Sequence, residues 1–390
     1  MRWIFISPIV FLIYAGICFY LGKRILDFIR YFSPGIKPFL FWIPFALLCC
    51  GIILTNFLGR SMNFLRIASS VWMAVLMYLL MFFVLSELFR LGVFLMGKRI
   101  PNINLYIVGT ALFLSVLLIV SGIFNARSIK TANYNITVRG TSNEHDSAKF
   151  PGNGSDIRIA LVSDTHIGSL IGEAWIKRIV NTINQAQPDI VFLAGDIFDG
   201  NIDSIKNIPG VISELRKINA PLGVYAVLGN HDVDRISFEG GRTERILQIL
   251  KDSNIIVLQD DVLEIREGIY LAGRKDARPI GMNVVRKTVE ELLAGINGTI
   301  IMIDHQPEQF PQSEKAGVDL LLCGHTHSGQ LFPSTLITRA IFNRAGSTSY
   351  GYWKGETMQA IVTSGAGIWG PPVRVGTNSE VAVINVSFMQ

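Results

Sequence analysis

"LLCGHTHSGQ", residues 321–330, closes a run of leucines with two histidines one residue apart. A short apolar run of this kind is the signature of a buried strand, so the question is what holds two imidazoles together at its end. Four other stretches share the design: "IRIALVSDTH" at 157–166, "DIVFLAGDIFD" at 189–199, "GVYAVLGNHD" at 223–232 and "TIIMIDHQP" at 299–307. Each is a β-branched apolar run that stops abruptly in Asp, Asn or His. Helical patterns such as "EAWIKRIVNTINQA" at 173–186 separate some of them. Strands alternating with helices predict an α/β sheet, and in such sheets ligands bind outside the carboxyl ends of the strands.

The residues delivered there are Asp164, His166, Asp196, Asp199, Asn230, His231, His305, His325 and His327, which include five of the six histidines of the chain. Imidazole with carboxylate suits borderline divalent ions such as Mn, Fe, Zn, Co or Ni, and the lack of thiolates argues against a closed structural zinc site. So many donors exceed the needs of one ion. They suit a pair of ions bridged by a carboxylate. Taken singly, each motif has a bland reading: "GNHD" as a turn with a helix cap, or His305 before Gln306 and Pro307 as a plain strand end. It is the set, always after an apolar strand, that points to metal.

Working outward, the 390-residue chain is half apolar, with a mean hydropathy of +0.40. Four runs of about 20 residues, at 3–22, 39–58, 67–86 and 105–124, carry no charge and have the length of a membrane-crossing helix. The expected organisation is a transmembrane region over 1–127 and an α/β domain over 128–390. Residues 1–130 hold twelve Lys and Arg against Asp27 and Glu87, a formal +10, and the remainder comes to −5. The basic balance thus belongs to the membrane part, which removes the reason to expect a nucleic-acid partner. The loops after the first and third runs are the richer in Lys and Arg, and the positive-inside rule makes those loops cytoplasmic. An even number of spans then puts the α/β domain outside the cell membrane, with Arg127 and Lys130 weakening the contrast.

Cys18, Cys49 and Cys50 lie in apolar runs, so Cys323 has no partner for a disulfide and reads as a packed strand residue. "NEHDSAKFPGNGSD" at 143–156 reads as a polar loop in which His145 is solvated, and "YNITV" at 134–138 as a first strand.

The five motifs together resemble the calcineurin-like metallophosphoesterases: D-x-H at 164–166, G-D-x-x-D at 195–199, G-N-H-D at 229–232, His305, and G-H-T-H at 324–327. The resemblance covers about residues 155–385. "GHTHSGQLFP", "GIWGPP" and the preceding spans are similar to a bacterial membrane-anchored subgroup, some of whose members act on UDP-diacylglucosamine; that looser likeness transfers no substrate. The resemblance implies an αββα sandwich of two mixed β-sheets behind the four-helix transmembrane region. It implies two divalent ions, one held by Asp164, His166 and His327 and the other by Asn230, His305 and His325, with Asp196 between them. The implied chemistry is hydrolysis of a phosphate ester or diphosphate by a metal-activated hydroxide. His231 is then the catalytic acid, and Asp199 orients its other ring nitrogen.

The expected partners are a phosphate-ester substrate, lipid-linked on the strength of the anchor, and the bilayer itself. The alternative is a membrane-tethered scaffold or sensor that keeps the fold for binding. Residues 331–353, with Phe332, Leu336, Ile337, Ile341 and Trp353, read either as an apolar wall facing lipid or as packing beneath a long loop. Arg274 and Arg374 are arginines able to clamp a phosphate, although an ordinary surface position is the commoner case.

Overall fold

The computed structural model describes residues 2–58, 63–98, 100–139, 157–200, 202–233, 241–276 and 286–389. The 143–156 loop and His145 lie outside them. The chain divides into two compact units, one comprising Met1–Phe124 with Gly370–Val373 and the other Asn125–Trp369 with Arg374–Gln390.

The first unit consists of four apolar helices: α1 (Arg2–Phe32), α2 (Pro38–Leu58), α3 (Asn63–Leu95) and α4 (Ile103–Arg127). Stretches of α1, α3 and α4, namely Pro8–Phe32, Phe64–Leu95 and Ile103–Arg127, are long and apolar enough to cross a membrane. In α2 the qualifying stretch, Pro38–Gly51, is shorter, so the expected four spans stand as three full-length candidates and one short one. Leu21, Tyr78, Leu79, Phe83 and Ala111 pack inward, whereas Phe11, Leu12, Leu40, Ile43 and Leu117 face outward. Apolar side chains on the outside of a helical unit suit lipid and not water. Arg24 pairs with Glu87, which also meets Arg90 Nε at 3.1 Å, so the one acidic group of α3 is compensated.

The second unit opens with β1 (Ile129–Arg139), longer than the 134–138 strand expected, and continues through β2 (Ile157–Val162), α5 (Glu173–Gln185), β3 (Ile190–Ala194), α6 (Ile208–Leu215) and β4 (Val224–Val227). Then come α7 (Arg242–Asp252), β5 (Ile256–Val257), β6 (Asp261–Arg266), β7 (Ile269–Gly273), α8 (Val289–Leu292), β8 (Thr299–Ile303) and α9 (Phe310–Lys315). The chain ends with β9 (Leu320–Cys323), α10 (Ser334–Arg344), β10 (Gly351–Lys354), β11 (Gln359–Val362) and β12 (Ser379–Met389).

These strands form two six-stranded sheets, ordered β1-β12-β2-β3-β4-β5 and β10-β11-β9-β8-β7-β6. Both are mixed. In the first, β12 runs antiparallel to β2 while β2 to β5 are parallel; in the second, β7, β8, β9 and β11 are parallel and β6 and β10 antiparallel edges.

Strand periodicity builds the layers. Ile157, Ile159 and Leu161 of β2, with Phe192 of β3, pack against Leu271, Ile301, Ile303, Leu320 and Leu322 of the other sheet. The alternate residues Ala160, Val162, Val191 and Leu193 face α5, α6 and α7. On the far side, Met302, Leu321 and Cys323 pack with Phe310 and Leu292. The layers are therefore helix, sheet, sheet, helix, and buried Cys323 is the packed strand residue the sequence suggested. This stacking brings the carboxyl ends of β2, β3, β4, β8 and β9 to one edge of the sandwich.

Candidate metal centre

Three of the strands at that edge, β2, β3 and β9, hand over their polar residues through a sharp change of backbone. Asp164, His166, Asp196, His325 and His327 all have positive φ, between 46° and 71°, a region that side-chain-bearing residues rarely enter. Strain of this kind persists only where the surroundings fix it, and it concentrates at functional sites. The fixing bonds are visible: Asp164 N–H donates to Gly195 O and His166 N–H to Asp196 O, each at 3.0 Å. The Asp232 carboxylate accepts from the N–H groups of Ile197, Phe198 and Gly229 at 3.1, 2.7 and 2.9 Å, tying the loops after β3 and β4 together. Gly195 sits so close to His305 that a Cβ there would lie 2.5 Å from its Nδ1.

The side chains gather in overlapping groups. Asp164, His166 and His327 form one: the two Nε2 atoms are 3.1 Å apart, and Asp164 Oδ1 lies 3.5 Å from His327 Nε2. Asp196, His305 and His325 form another, with His325 Nδ1 3.1 Å from His305 Nε2, which is 3.3 Å from Asp196 Oδ2. The same Asp196 Oδ2 is 3.9 Å from His166 Nε2, so one oxygen faces both groups. His325 and His327, separated by Thr326, thus belong to different groups. His305 donates from Nδ1 to Ala194 O at 2.8 Å, which leaves its Nε2 free to act as a ligand. Asn230 Oδ1 is buried at the same edge with no hydrogen-bond partner.

A third group joins His166 to Asp199 and His231. His231 Nδ1 is 3.9 Å from Asp199 Oδ1, beyond hydrogen-bond length, and its ring meets the His166 ring edge-on at 5.0 Å. All nine residues singled out in the sequence are therefore at this edge.

The electrostatics call for a cation. Burial pushes the Asp164 carboxyl up to about 6 and drives the His166 imidazole down to about 3. His327 is likewise held well below the usual imidazole range, by burial and then by His166. Burial acts against charge on Asp196 and His305 too, but each outweighs it for the other: the carboxylate is held low and the imidazole high. A carboxylate that draws positive charge onto a buried neighbour, beside two imidazoles driven neutral, is a place where a metal ion replaces a proton. Asp164 Oδ1, His166 Nδ1 and Asn230 Oδ1 are buried without hydrogen bonds, and an ion supplies the missing partner to oxygen donors of this kind. The residues fit divalent metal.

Arg374 was legible only as a possible surface clamp, and the structure corrects that: it is wholly buried. Its guanidinium donates to the carbonyls of Ser364 and Gly367 at 2.7 and 2.8 Å, with Nη2 3.4 Å from His327 Nδ1. It braces the loop behind His327 from a position closed to solvent. Arg274 is also buried, bonded to Asp304 at 3.2 Å and to Gln309 at 2.9 Å. No periodicity marks either position, because both lie in irregular loops: Arg374 is wrapped mainly by the carbonyls of 364–367 nearby, and Arg274 by Asp304 and Gln309 from another segment.

Comparison with known proteins follows the same line. Residues 157–329 match the sequence profile of the calcineurin-like phosphoesterases. An uncharacterized metallophosphoesterase of Campylobacter jejuni is 28% identical over 395 residues, 99% of each chain. One from Aquifex aeolicus is 30% identical over 246 residues, covering 62% of this chain and 88% of its own. A zebrafish (Danio rerio) transmembrane protein with metallophosphoesterase domain is 30% identical over 284 residues, covering 70% of this chain and 61% of its own length. With the strand-end motifs, the two-sheet sandwich and these relatives agreeing, the chain belongs to the calcineurin-like metallophosphoesterase family.

Proposed function

We propose that the chain is a membrane-anchored, two-metal phosphoesterase acting on a lipid-linked phosphate ester or diphosphate. The observation that carries the metal reading is Asp196, whose Oδ1 is occupied by the His231 N–H at 2.7 Å while Oδ2 faces His166 and His305. In this reading Asp164, His166 and His327 would hold one ion and Asn230, His305 and His325 the other, with Asp196 shared between them. Two divalent ions supply Lewis acidity toward phosphoryl oxygens and make water a competent nucleophile near neutral pH. The protein's part is placement and proton handling. His231, 16% exposed in its side chain, is reachable from solvent and holds the proton passed to the leaving oxygen. Asp199 closes on His231 Nδ1 once the imidazolium forms, and Asp232 keeps the 229–232 turn in register with the loop after β3.

The lipid-linked substrate rests on the membrane-length helices, and the charge pattern supports a position of the second unit outside the membrane. The test is hydrolysis by the purified full chain, with added Mn, of bis-p-nitrophenyl phosphate and of a lipid extract analysed for phosphorus-containing products. Expected are turnover of both and its loss on thorough chelation. Full activity after chelation sinks the two-metal reading; no hydrolysis with both metals bound favours the scaffold.

A further inference from the structure

Helix α10 is built inside out. In α5, the apolar residues Trp175, Ile176, Ile179, Val180 and Ile183 are buried and the polar ones face water. In α10 no residue is buried, and Leu336, Ile337 and Ile341 are 59%, 61% and 60% exposed. At 100° per residue these three and Ala340 share one face. The helix carries Arg339 and Arg344, both exposed, and no acidic residue.

Its leading segment is anchored at two significant places. Phe332 N–H donates to Val375 O at 2.8 Å, in the loop whose Arg374 and Thr377 carbonyls accept from Asn125 Nδ2 at 3.1 and 2.6 Å. Asn125 lies in the last turn of α4, a helix long and apolar enough to cross a membrane. The root of α10 is therefore bonded to the loop that receives the chain as it leaves the last membrane helix. The other end of the segment is the site: Gln330, three residues after His327, holds the Trp369 backbone through two hydrogen bonds of 2.8 and 2.9 Å. The Trp369 ring is 56% exposed and stands 6.3 Å from the His231 ring. Trp369 beside His231, Phe332 and the apolar residues of α10 are thus all exposed, on segments tied together through Gln330 and Val375.

We propose that α10 lies in the headgroup layer of the bilayer that holds the chain's own helices, with Leu336, Ile337 and Ile341 immersed and Arg339 and Arg344 on lipid phosphates. An exposed apolar face with one basic residue at its side, Arg339, and another at its C-terminal end, Arg344, is the chemistry of an interfacial helix. The consequence is that lipid phosphate esters reach the strand-end site along Trp369 without leaving the membrane surface. The inference rests on the membrane-anchored reading and does not need hydrolysis.

The test uses the full chain, with its native cysteines replaced, in single-chain nanodiscs of phosphatidylethanolamine and phosphatidylglycerol. Ile341→Cys carries a polarity-sensitive fluorophore, with Lys177→Cys on exposed α5 as the aqueous control. Expected at 341 are emission shifted to shorter wavelength, quenching by lipids spin-labelled in the acyl chain, and protection from iodide, none of it at 177. Equal iodide access at both positions overturns the proposal. A shift at 341 that appears only when a disc holds two chains also overturns it, making this face a contact between copies. Ile337→Glu/Ile341→Glu should cost on the order of tenfold or more in turnover of a bilayer-embedded phosphodiester and leave bis-p-nitrophenyl phosphate unchanged; equal rates on the embedded ester overturn it. The fluorescence readout needs no turnover, so a chain that hydrolyses neither ester sinks the phosphoesterase reading alone.

Discussion

Asp196 is the residue on which the metal reading turns, because a single oxygen faces both ligand groups while the other is consumed by the His231 backbone. Asp196→Asn keeps the size and the hydrogen bond to the backbone but removes the charge, so metal analysis should find both ions weakened, and not one alone. Loss of a single ion would place the bridge elsewhere. His231 presents the complementary case: it sits beside the ligands without belonging to the two groups that flank Asp196. His231→Ala should retain two ions yet lose roughly 10²–10⁴-fold in rate on an ester with an alkoxide leaving group, about 3–5 kcal/mol of barrier. A nitrophenolate leaves with little protonation, so its loss should be clearly smaller. Asp199→Asn should follow the same pattern more mildly, since 3.9 Å separates the pair at rest and Asp199 is half exposed. Equal losses on both esters would argue against the acid role, and loss of metal would mean that His231 is a ligand.

The strand ends matter as much as the side chains they carry. β2 and β9 finish side by side in different sheets, and His325 N–H donates to Asp164 Oδ2 at 2.8 Å across the junction. Gly324 is the contact point. A Cβ there would run into Ser163 and stand 2.6 Å from Asp164 Oδ2. Gly324→Ala should therefore destabilise the fold by about 1–3 kcal/mol, the usual cost of overpacking, and weaken the ion held by Asp164 in the same variant. Thermal melting with and without added Mn separates the two effects: a variant that melts as the parent does and binds metal normally would show that the two sheets can part there freely.

For the whole molecule, the division of charge between its two parts is the property with a testable consequence. The first 130 residues hold a formal +10 and the rest −5, and seven of the twelve basic residues of the first part follow the first and third apolar runs of the sequence, at 23–37 and 90–99. In the orientation we propose, the positive-inside rule keeps those segments in the cytoplasm, with the α/β unit on the other side. A cysteine at Lys177, exposed on α5, should react in intact cells with a membrane-impermeant maleimide. Reaction only after the membrane is opened would reverse the orientation and favour a cytoplasmic substrate. The span count bears on this directly, because an odd number of crossings would put the α/β unit on the opposite side.

The sequence by itself determined the parts that depend on local pattern. Runs of about 20 uncharged residues marked the membrane helices, and short apolar runs marked β2, β3, β4, β8 and β9 with the polar residue that ends each, since periodicity and length are one-dimensional properties. It also named the nine polar residues that the strand ends bring to the sandwich edge, but did not place Arg374 and Trp369 beside them. Only the tertiary structure decided how those residues divide. His325 and His327 are one residue apart, yet positive φ at both turns their rings toward different partners, a backbone state held by contacts with Asp164, Ser349 and Arg374 from distant segments. Burial of Arg374 was equally invisible, and for α10 the sequence left an apolar wall and ordinary packing both open: "STLITRAIFNR" has the apolar content of a packed helix, yet none of its residues is buried.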